Sequence, residues 1–340
     1  MKFEEKYPDA EKTDQFEFEY SFVTKDAKLG FCSVCGDMTR WIDTRLEKHI
    51  CSEECGGKAW KQASESNPEK VQENEEKAKE ELSAAAKCED AFKDIIMIVR
   101  DQLEYVKIAV ESIRMFTKNY KLWIWDNDSG QETKQYLQEL LIEYNEACQS
   151  GDIDWEIEVW HADSNKGFIG PNNSIAEATT GDYIIPINSD TKVFEHWDTA
   201  MIAHLKNNPN VRQVGYWGGH LDSDGRGFGG DNGYNVDYIP GWCFAISRET
   251  YDEFGLFNKQ LRFAYCEDAD LSLRLKEAGH QIYALHIPLV HHFQNKTIKT
   301  VRKEGEVDVE ATFEYNHKYI KQRWSDYLKN GRVLIKKELK

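Results

Sequence analysis

The sequence has 340 residues, a formal net charge of −17 and 40% hydrophobic residues, a composition that excludes an intrinsically disordered chain. The acidity disfavours nucleic acid and bare anionic membranes as partners, because phosphate groups repel a negative surface. No apolar run approaches the length of a membrane span, and the charged N-terminus lacks the apolar core of a secretory signal. We therefore expect a cytoplasmic protein with no transmembrane segment and no nucleic acid partner.

Four of the eight cysteines fall in two closely spaced pairs near the N-terminus. Cys32 and Cys35 stand in FCSVCG, and Cys51 and Cys55 stand in CSEEC. Two such pairs can supply the four soft ligands of a tetrahedral structural Zn2+ site, and they resemble a zinc-ribbon or treble-clef module. Four reduced, buried cysteines are the alternative. We expect residues 1–60 to form a zinc-binding module, and we hypothesise that it docks a protein partner.

Residues 61–92 are rich in Glu, Lys and Ala and contain few large apolar side chains. This composition favours a solvated helix or a flexible tether, so we interpret the segment as a charged helical linker.

The remaining residues, 93–340, alternate between apolar runs and helical periodicity. Apolar runs predict strands at 94–99, 121–126, 155–160 and 183–188, with helices between them. This alternation predicts an α/β domain with a mostly parallel sheet flanked by helices. Ligands bind such sheets at the carboxyl ends of the strands, and Asp126 and Asp190 stand at two of those ends.

Two segments after strands have the residues to bind a nucleotide. In WDNDSG, Asp126 can accept a hydrogen bond from a pyrimidine base or a ribose hydroxyl, although capping the next helix is the alternative. In SNKGFIGPNN, Asn165 and Gly167 permit unusual backbone geometry, and Asn173 can reach ribose or phosphate. A plain loop is the alternative for this second segment.

The NSD segment predicts a metal site. A carboxylate at the end of a buried strand, as at Asp190, is costly unless it meets a cation. Magnesium and manganese take oxygen ligands and bridge diphosphate oxygens, and Asn188 can add a carbonyl oxygen. The pair His291 and His292, which follows a later apolar run, can complete the site.

The segment EDADLSLR crowds Glu267, Asp268 and Asp270 in front of an amphipathic helix. Acidic groups at a helix N-terminus are stabilised by its dipole, which is the ordinary interpretation for Asp270 and one alternative for Glu267. The functional interpretation is that Asp268 or Glu267 removes a proton from a hydroxyl group as a general base.

In this order the segments DIIMIV, DNDS, NKGFIGPNN, NSD, GWCF, EDADLSLR and HH resemble glycosyltransferase family 2. The resemblance implies a Rossmann-like GT-A fold, a nucleotide-diphosphate sugar donor, Mn2+ or Mg2+, and inversion at the anomeric carbon. The acceptor would be a hydroxyl group of a glycan, a lipid-linked glycan or a protein. Asn188, in place of the first acidic residue of the D-x-D motif, resembles the rhamnosyltransferase-like branch.

The resemblance also implies roles for individual residues. Asp268 would be the catalytic base, with Glu267 as its competitor, and Trp242 would line the acceptor site. Asp190 and His292 would bind the catalytic metal, with His291 as the second histidine. The residues expected at the donor are Asp126, Asn127, Asn165, Gly167, Asn173, Asn188 and Arg100.

Two other classes of function remain open at this point. An inactive adaptor that binds carbohydrate or nucleotide sugar would keep the fold without turnover. A nucleotidyltransferase would share the sheet and the aspartate, but it would need a basic triphosphate loop near the first strand. Only Arg100 stands there.

Overall fold

The computed structural model of the chain describes residues 23–31, 38–43, 48–49, 68–88, 91–150, 155–293 and 308–329. Near the N-terminus, strands β1 (Val23–Phe31), β2 (Met38–Asp43) and β3 (Lys48–His49) form a small antiparallel sheet in that order. The expected zinc ligands lie outside the described residues; they are Cys32, Cys35, Cys51 and Cys55.

The main domain is built on a seven-stranded sheet in the order β13-β9-β12-β7-β4-β5-β6. The strands from here on are β4 (Lys93–Val99), β5 (Tyr120–Asp126), β6 (Trp155–His161), β7 (Tyr183–Asn188), β8 (Thr191–Val193), β9 (Val211–Tyr216), β10 (Gly218–Leu221), β11 (Gly227–Asp231), β12 (Phe244–Ser247), β13 (Gln281–Leu285) and β14 (Val290–His292). Strands β7, β4, β5 and β6 run parallel, as do β13 and β9, while β12 is antiparallel to both of its neighbours. Strands β10 and β11 pair with each other outside this sheet.

Helices cover both faces of the sheet. They are α1 (Pro68–Ala85), α2 (Leu103–Phe116), α3 (Gln131–Ser150), α4 (Ile169–Ala178), α5 (Trp197–Asn207), α6 (Arg248–Phe254), α7 (Glu267–Glu277), α8 (Val309–Arg323) and α9 (Ser325–Lys329). Side chains of β4 alternate between two apolar cores, because Ile95 and Met97 join one and Ile96 joins the other. The predicted α/β architecture, a mostly parallel sheet flanked by helices, is confirmed.

The loop expected between the third and fourth predicted strands is largely helical. A plain loop was the alternative for SNKGFIGPNN, whereas α4 begins within that segment at Ile169 and includes Gly170 and Pro171. Proline is tolerated in the first turn of a helix, where its missing N–H has no partner to lose. The result is that a helix N-terminus, rather than an open loop, follows Gly167.

The charged segment before the domain forms helix α1, and one side of this helix is buried. Glu81 and Ala85 are buried among residues of the main domain. The Glu81 carboxylate accepts hydrogen bonds from the backbone N–H groups of His286 (3.0 Å) and Ile287 (3.0 Å) and from the Tyr283 hydroxyl (3.0 Å). Composition alone favoured a solvated helix or tether, but these bonds attach the helix to the sheet. Within the described residues, no helix is long and apolar enough to cross a bilayer.

Candidate active site

A cavity of about 280 Å³ lies at the carboxyl ends of β4, β5 and β7. Its volume is near the lower end of the range for ligand pockets, roughly 300–1,000 Å³. Most of the residues expected at the site line it, namely Arg100, Asn127, Asn165, Gly167, Asn188, Asp190, Trp242, Glu267, Asp268 and His292. Asp126, Asn173 and His291 are not among the lining residues.

Pairing of β14 with β8 brings the expected metal ligands together. The register places His292 opposite Thr191, directly after Asp190. His292 Nε2 lies 3.1 Å from Asp190 Oδ1 and 3.3 Å from Asn188 Nδ2. Because the two ends of an amide are interchangeable by a half-turn, Asn188 can also present its oxygen at this point. An imidazole nitrogen and a carboxylate fit the donor preferences of manganese.

Metal binding at this point would use the pair Asp190 and His292 together with other donors. Within the described residues, no group of three or more His, Cys, Asp or Glu side chains stands close enough to hold a metal ion. The pair therefore offers two protein ligands of this type, and the metal role of Asp190 and His292 stays a prediction.

His291 faces away from the metal pair. Successive side chains of a strand point to opposite faces, so only one of the two adjacent histidines can face Asp190. His291 pairs with Lys192 across the ladder, and its ring lies edge-on to Phe293 with ring centroids 4.7 Å apart. It is not among the residues that line the cavity.

The dipeptide Gly241–Trp242 lies between the metal pair and the two acidic residues. The Trp242 ring stacks on His292, with centroids 5.2 Å apart and an interplanar angle of 16°. The Trp242 carbonyl accepts a hydrogen bond from the Asn188 backbone N–H at 2.8 Å, and the Gly241 N–H donates to Asp268 Oδ2 at 3.0 Å. Gly241 and Trp242 therefore fix the position of the Asp190–His292 pair relative to the Asp268 carboxylate.

The Asp268 carboxylate is half-buried and is held at both oxygens. Oδ2 accepts from Gly241, and Oδ1 accepts from the Ala269 backbone N–H at 2.8 Å. Burial raises the pKa of Asp268, while these backbone hydrogen bonds favour the ionised form and oppose the shift. The result is an oriented carboxylate at the wall of the cavity.

Glu267 is buried more deeply than its neighbour. Its side chain is 6% exposed, and its Oε2 atom has no hydrogen-bond partner among the described residues. Burial, reinforced by the nearby charge of Asp268, raises the pKa of Glu267 to about 8. The raised pKa favours the protonated form of Glu267, which can donate a hydrogen bond but cannot accept a proton.

The third acidic residue of the segment has a structural role. Asp270 is buried, and it forms an ion pair with Arg274 at 2.9 Å and accepts a hydrogen bond from Trp324 Nε1 at 3.2 Å. Arg274 also donates to the carbonyls of Phe254 and Leu256, both at 2.6 Å. These contacts tie α7 to α6 and to the chain after α8, so Asp270 is engaged away from the cavity.

The turn after β5 is held together by Arg100 and Asn127. Arg100 Nη1 donates to the carbonyls of Asn127 (3.0 Å) and Asp128 (3.2 Å), which places a buried guanidinium at the cavity wall. Asn127 Nδ2 donates to Asn165 Oδ1 at 2.8 Å and to the Gly167 carbonyl at 2.9 Å. Two segments expected at the donor therefore form one hydrogen-bonded unit.

A glycine is required at position 167, where the hydrogen-bonded segments around Asn127 and Asn165 meet the loop before α7. Its φ of +77° is unfavourable for other residues, and a Cβ atom there would lie 2.7 Å from the Phe263 carbonyl oxygen. The next two N–H groups, of Phe168 and Ile169, both donate to that carbonyl. The segment around Gly167 and the loop that leads to Glu267 and Asp268 are thus in direct contact.

Asp126 stands at the end of β5 as expected, but its side chain is fully buried. Oδ1 accepts from the Ser129 backbone N–H at 2.9 Å, and Oδ2 lies 2.9 Å from His161 Nδ1. The register of β5 with β6 sets Asp126 beside His161, whose ring is partly exposed. Sequence reasoning missed His161, although its place at the end of a predicted strand was a usable signal.

Asn173 lies away from the cavity because α4 begins early and turns it inward. Its Nδ2 donates to the Phe257 carbonyl, and its Oδ1 accepts from the Phe257 backbone N–H, each at 2.9 Å. Both ends of the amide are therefore engaged in fixing α4 against the chain after α6. The expected contact between Asn173 and a donor stays a prediction. Its position outside the cavity gives that prediction no support.

Several cavity residues were not among the candidates named from the sequence, although some lie inside the segments that carry the resemblance. They are Ile98, Phe168, Ser189, Pro240, Gly241, Phe263, Ala264 and Tyr265. Backbone groups and apolar side chains have no chemical signature of a site, so only the assembled fold shows that they line the pocket.

Two family descriptions match the main domain. Residues 94–253 match Glycosyl transferase family 2, and residues 230–306 match Glycosyltransferase like family 2. Among curated proteins, the uncharacterized protein y4gI of Sinorhizobium fredii (strain NBRC 101917 / NGR234) is 24% identical over 270 residues. That match covers 68% of this chain, which spans only 27% of the relative's length.

Solved structures share the fold at low identity. A mannosyltransferase, PcManGT from Pyrobaculum calidifontis in complex with GDP-Man and Mn2+, superposes with a TM-score of 0.52 at 12% identity, covering 72% of this chain and 70% of that one. GalNAc-T7 with UDP, GalNAc and Mn2+ gives a TM-score of 0.50 at 17% identity, covering 59% and 43%. Residues 94–306 thus match descriptions of glycosyltransferase family 2, and the main domain has a fold similar to GT-A.

Proposed function

We propose that this chain is a metal-dependent, inverting glycosyltransferase that moves a sugar from a nucleotide-diphosphate donor to a hydroxyl acceptor. One observation supports this most strongly: Gly241 and Trp242 connect the Asp190–His292 pair with the Asp268 carboxylate across a single cavity. A cation site and an oriented base, held a fixed distance apart, are what direct displacement at a sugar carbon requires.

On the donor side, the residues proposed to hold a divalent cation are Asp190 and His292, with Asn188 beside them. When bound, Mn2+ or Mg2+ would neutralise charge that grows on the leaving diphosphate. Arg100 contributes a fixed positive charge at the same wall. Asn127, Asn165 and the backbone around Gly167 form the polar surface proposed for the nucleotide.

On the acceptor side, Asp268 is the proposed general base. Its two backbone hydrogen bonds fix the carboxylate, which removes the proton from the acceptor hydroxyl as its oxygen attacks the anomeric carbon. Attack from the face opposite the leaving diphosphate inverts that carbon. Glu267 is the weaker candidate, because a buried acid with a pKa of about 8 holds its own proton at neutral pH.

The type of sugar is proposed from the branch that the sequence resembles. Asn188 in place of an acidic residue supports a rhamnosyltransferase-like branch, and so a deoxyhexose or hexose donor. The solved structures similar in fold contain UDP with GalNAc and GDP-Man, each with Mn2+, which supports a nucleotide-diphosphate sugar and this metal for the present chain. The acceptor is proposed only as a hydroxyl-bearing glycan, lipid-linked glycan or protein.

The test is a donor screen with the full chain. UDP-, dTDP- and GDP-sugars are incubated with a mixture of glycan acceptors, in Mn2+ or in EDTA, and release of nucleoside diphosphate is measured. We expect release from one donor class, dependent on Mn2+ and reduced at least about 100-fold in Asp190→Ala. Binding of a donor without release in any acceptor mixture would instead indicate the inactive adaptor.

The N-terminal cysteines form a separate proposal. We propose that Cys32, Cys35, Cys51 and Cys55 bind one structural Zn2+, on the spacing of the two pairs alone. The purified 340-residue chain should contain one zinc per chain by elemental analysis. The double variant Cys32→Ser/Cys35→Ser should contain none, while Cys148→Ser, which changes an exposed free cysteine, should keep it. Equal zinc content in the two variants would contradict the assignment.

A further inference from the structure

The loop from Arg262 to Cys266, directly before the acidic residues, has an unusual backbone. Phe263, Tyr265 and Cys266 all have positive φ values, of 53°, 78° and 68°. Such backbone conformations are strained in residues other than glycine and persist only where their surroundings fix them. Helix α7 begins immediately afterwards with Glu267, and its cap residue Cys266 makes no side-chain capping bond. Something other than a helix cap must therefore hold this loop.

Asn316 of helix α8 makes the contacts that hold it. Its side chain is fully buried, and its Oδ1 accepts a hydrogen bond from the Arg262 backbone N–H at 2.8 Å. Its Nδ2 donates to the carbonyls of Arg262 (2.7 Å), Ala264 (2.9 Å) and Tyr265 (3.0 Å). One amide thus contacts four backbone groups of the loop, with the two hydrogens of Nδ2 shared among three carbonyls, a set of contacts that only Asn or a close isostere can make.

The same loop contacts the nucleotide side of the cavity. The Phe263 carbonyl, between two carbonyls bound by Asn316, accepts hydrogen bonds from the N–H groups of Phe168 and Ile169. A shift of the loop would therefore move both Asp268 and the segment after Gly167. Asn316 lies beyond residues 94–253 and 230–306, where the family descriptions match.

We propose that Asn316 is a positioning residue that fixes the strained loop 262–266 and thereby sets the Asp268 carboxylate relative to the bound donor. It touches neither substrate nor cavity, and it acts through the backbone of the loop. The proposal rests on the proposed function only for its effect on turnover. The placement of the loop by Asn316 is a claim about the fold that can be tested without any substrate.

The first experiment measures amide hydrogen exchange in the full chain. Asn316→Ala removes all four contacts, and Asn316→Ser keeps one small donor and acceptor in case the alanine variant does not fold. The matched control is Ile320→Ala, on the same helix, which packs against Leu273 and makes none of these bonds. We expect exchange at Arg262, Phe168 and Ile169 to accelerate at least about tenfold in the Asn316 variants, and not in Ile320→Ala beyond its global loss of stability. Unchanged exchange at these three amides would overturn the proposal.

The second experiment measures turnover. Misplacement of a reacting group by about 1 Å can cost about 100-fold in rate, so kcat of Asn316→Ser should fall about 10- to 100-fold. The KM for the donor should rise as well, because the loop also holds the segment after Gly167, and Ile320→Ala should keep the wild-type kcat and KM per folded molecule. Equal losses of kcat in Asn316→Ser and Ile320→Ala would show that Asn316 has only a general structural role. Absence of transfer in the wild-type protein would contradict the proposed function but leave the exchange test decisive for Asn316.

Discussion

His292 Nε2 lies 3.1 Å from Asp190 Oδ1, although 102 positions separate the two residues in the chain. The contact exists because β14 pairs antiparallel with β8, the strand that begins directly after Asp190. The neighbouring His291 points to the opposite side of the same short strand, which provides a matched control for the metal proposal.

We expect His292→Ala to lower Mn2+-dependent turnover about 10- to 100-fold, because it removes one of two proposed protein ligands of the cation. His291→Ala, which changes a side chain packed on Phe293, should stay within about threefold of wild type. The measurement is kcat/KM as a function of Mn2+ concentration. Equal losses in both variants would show that the histidines do not have distinct roles.

Substituting Asp268 and Glu267 one at a time should show which of the two is the catalytic base. Asp268→Asn removes the proposed proton acceptor at constant shape, so transfer should fall at least about 100-fold while donor binding persists. Glu267→Gln mimics the protonated acid and should retain far more activity. Single-turnover transfer rates with a saturating donor would check this. The reverse order of losses would make Glu267 the base.

The stability of the protein should depend on pH through Glu267. Its pKa is raised from 4.5 to about 8 in the folded state, so the folded chain holds a proton that the unfolded chain releases. The contribution of Glu267 to the free energy of unfolding therefore falls as pH rises across this window. Glu267→Gln lacks this titration, so its stability relative to wild type should increase from pH 4.5 to about 8 and then level off. Urea unfolding across this range measures the difference, and a constant difference would contradict the assignment.

Two glycines in the same segment should respond oppositely to alanine. Gly167→Ala places a Cβ atom 2.7 Å from the Phe263 carbonyl at a positive φ, so stability should fall by about 1–3 kcal/mol. Gly170→Ala adds a Cβ atom with no heavy atom within 4 Å, inside helix α4. It should remain within about 1 kcal/mol of wild type or be more stable. Thermal or denaturant unfolding of both variants tests whether the backbone at position 167 lies this close to the Phe263 carbonyl.

Much of the sheet was predictable from local pattern. Strands expected at 94–99, 121–126, 155–160 and 183–188 are observed as β4 to β7, each within one residue at either end. Continuous apolar runs mark buried parallel strands strongly, and their ends mark where ligand-binding side chains gather. The antiparallel insertion of β12 between β7 and β9 was not predicted, because strand order depends on long-range pairing.

The parts of the site that the sequence could not supply are those set by tertiary contacts. Asp126 was identified by position, but its burial against His161 depends on the register of β5 with β6. Nothing in the neighbouring sequence indicates the role of Asn316, since a single asparagine within a helix is most simply interpreted as a polar surface residue. Its four bonds to a loop more than fifty positions away exist only in the assembled domain.

The most direct test of the central claim is calorimetric titration of the full chain with nucleoside diphosphates, in Mn2+ and in EDTA. The account predicts that one of UDP, dTDP or GDP binds in Mn2+, that EDTA abolishes binding, and that Asp190→Ala also abolishes it while Asp268→Asn preserves it. Binding of equal strength in EDTA, or in Asp190→Ala with Mn2+, would contradict a cation held at Asp190 and His292 as the basis of donor recognition.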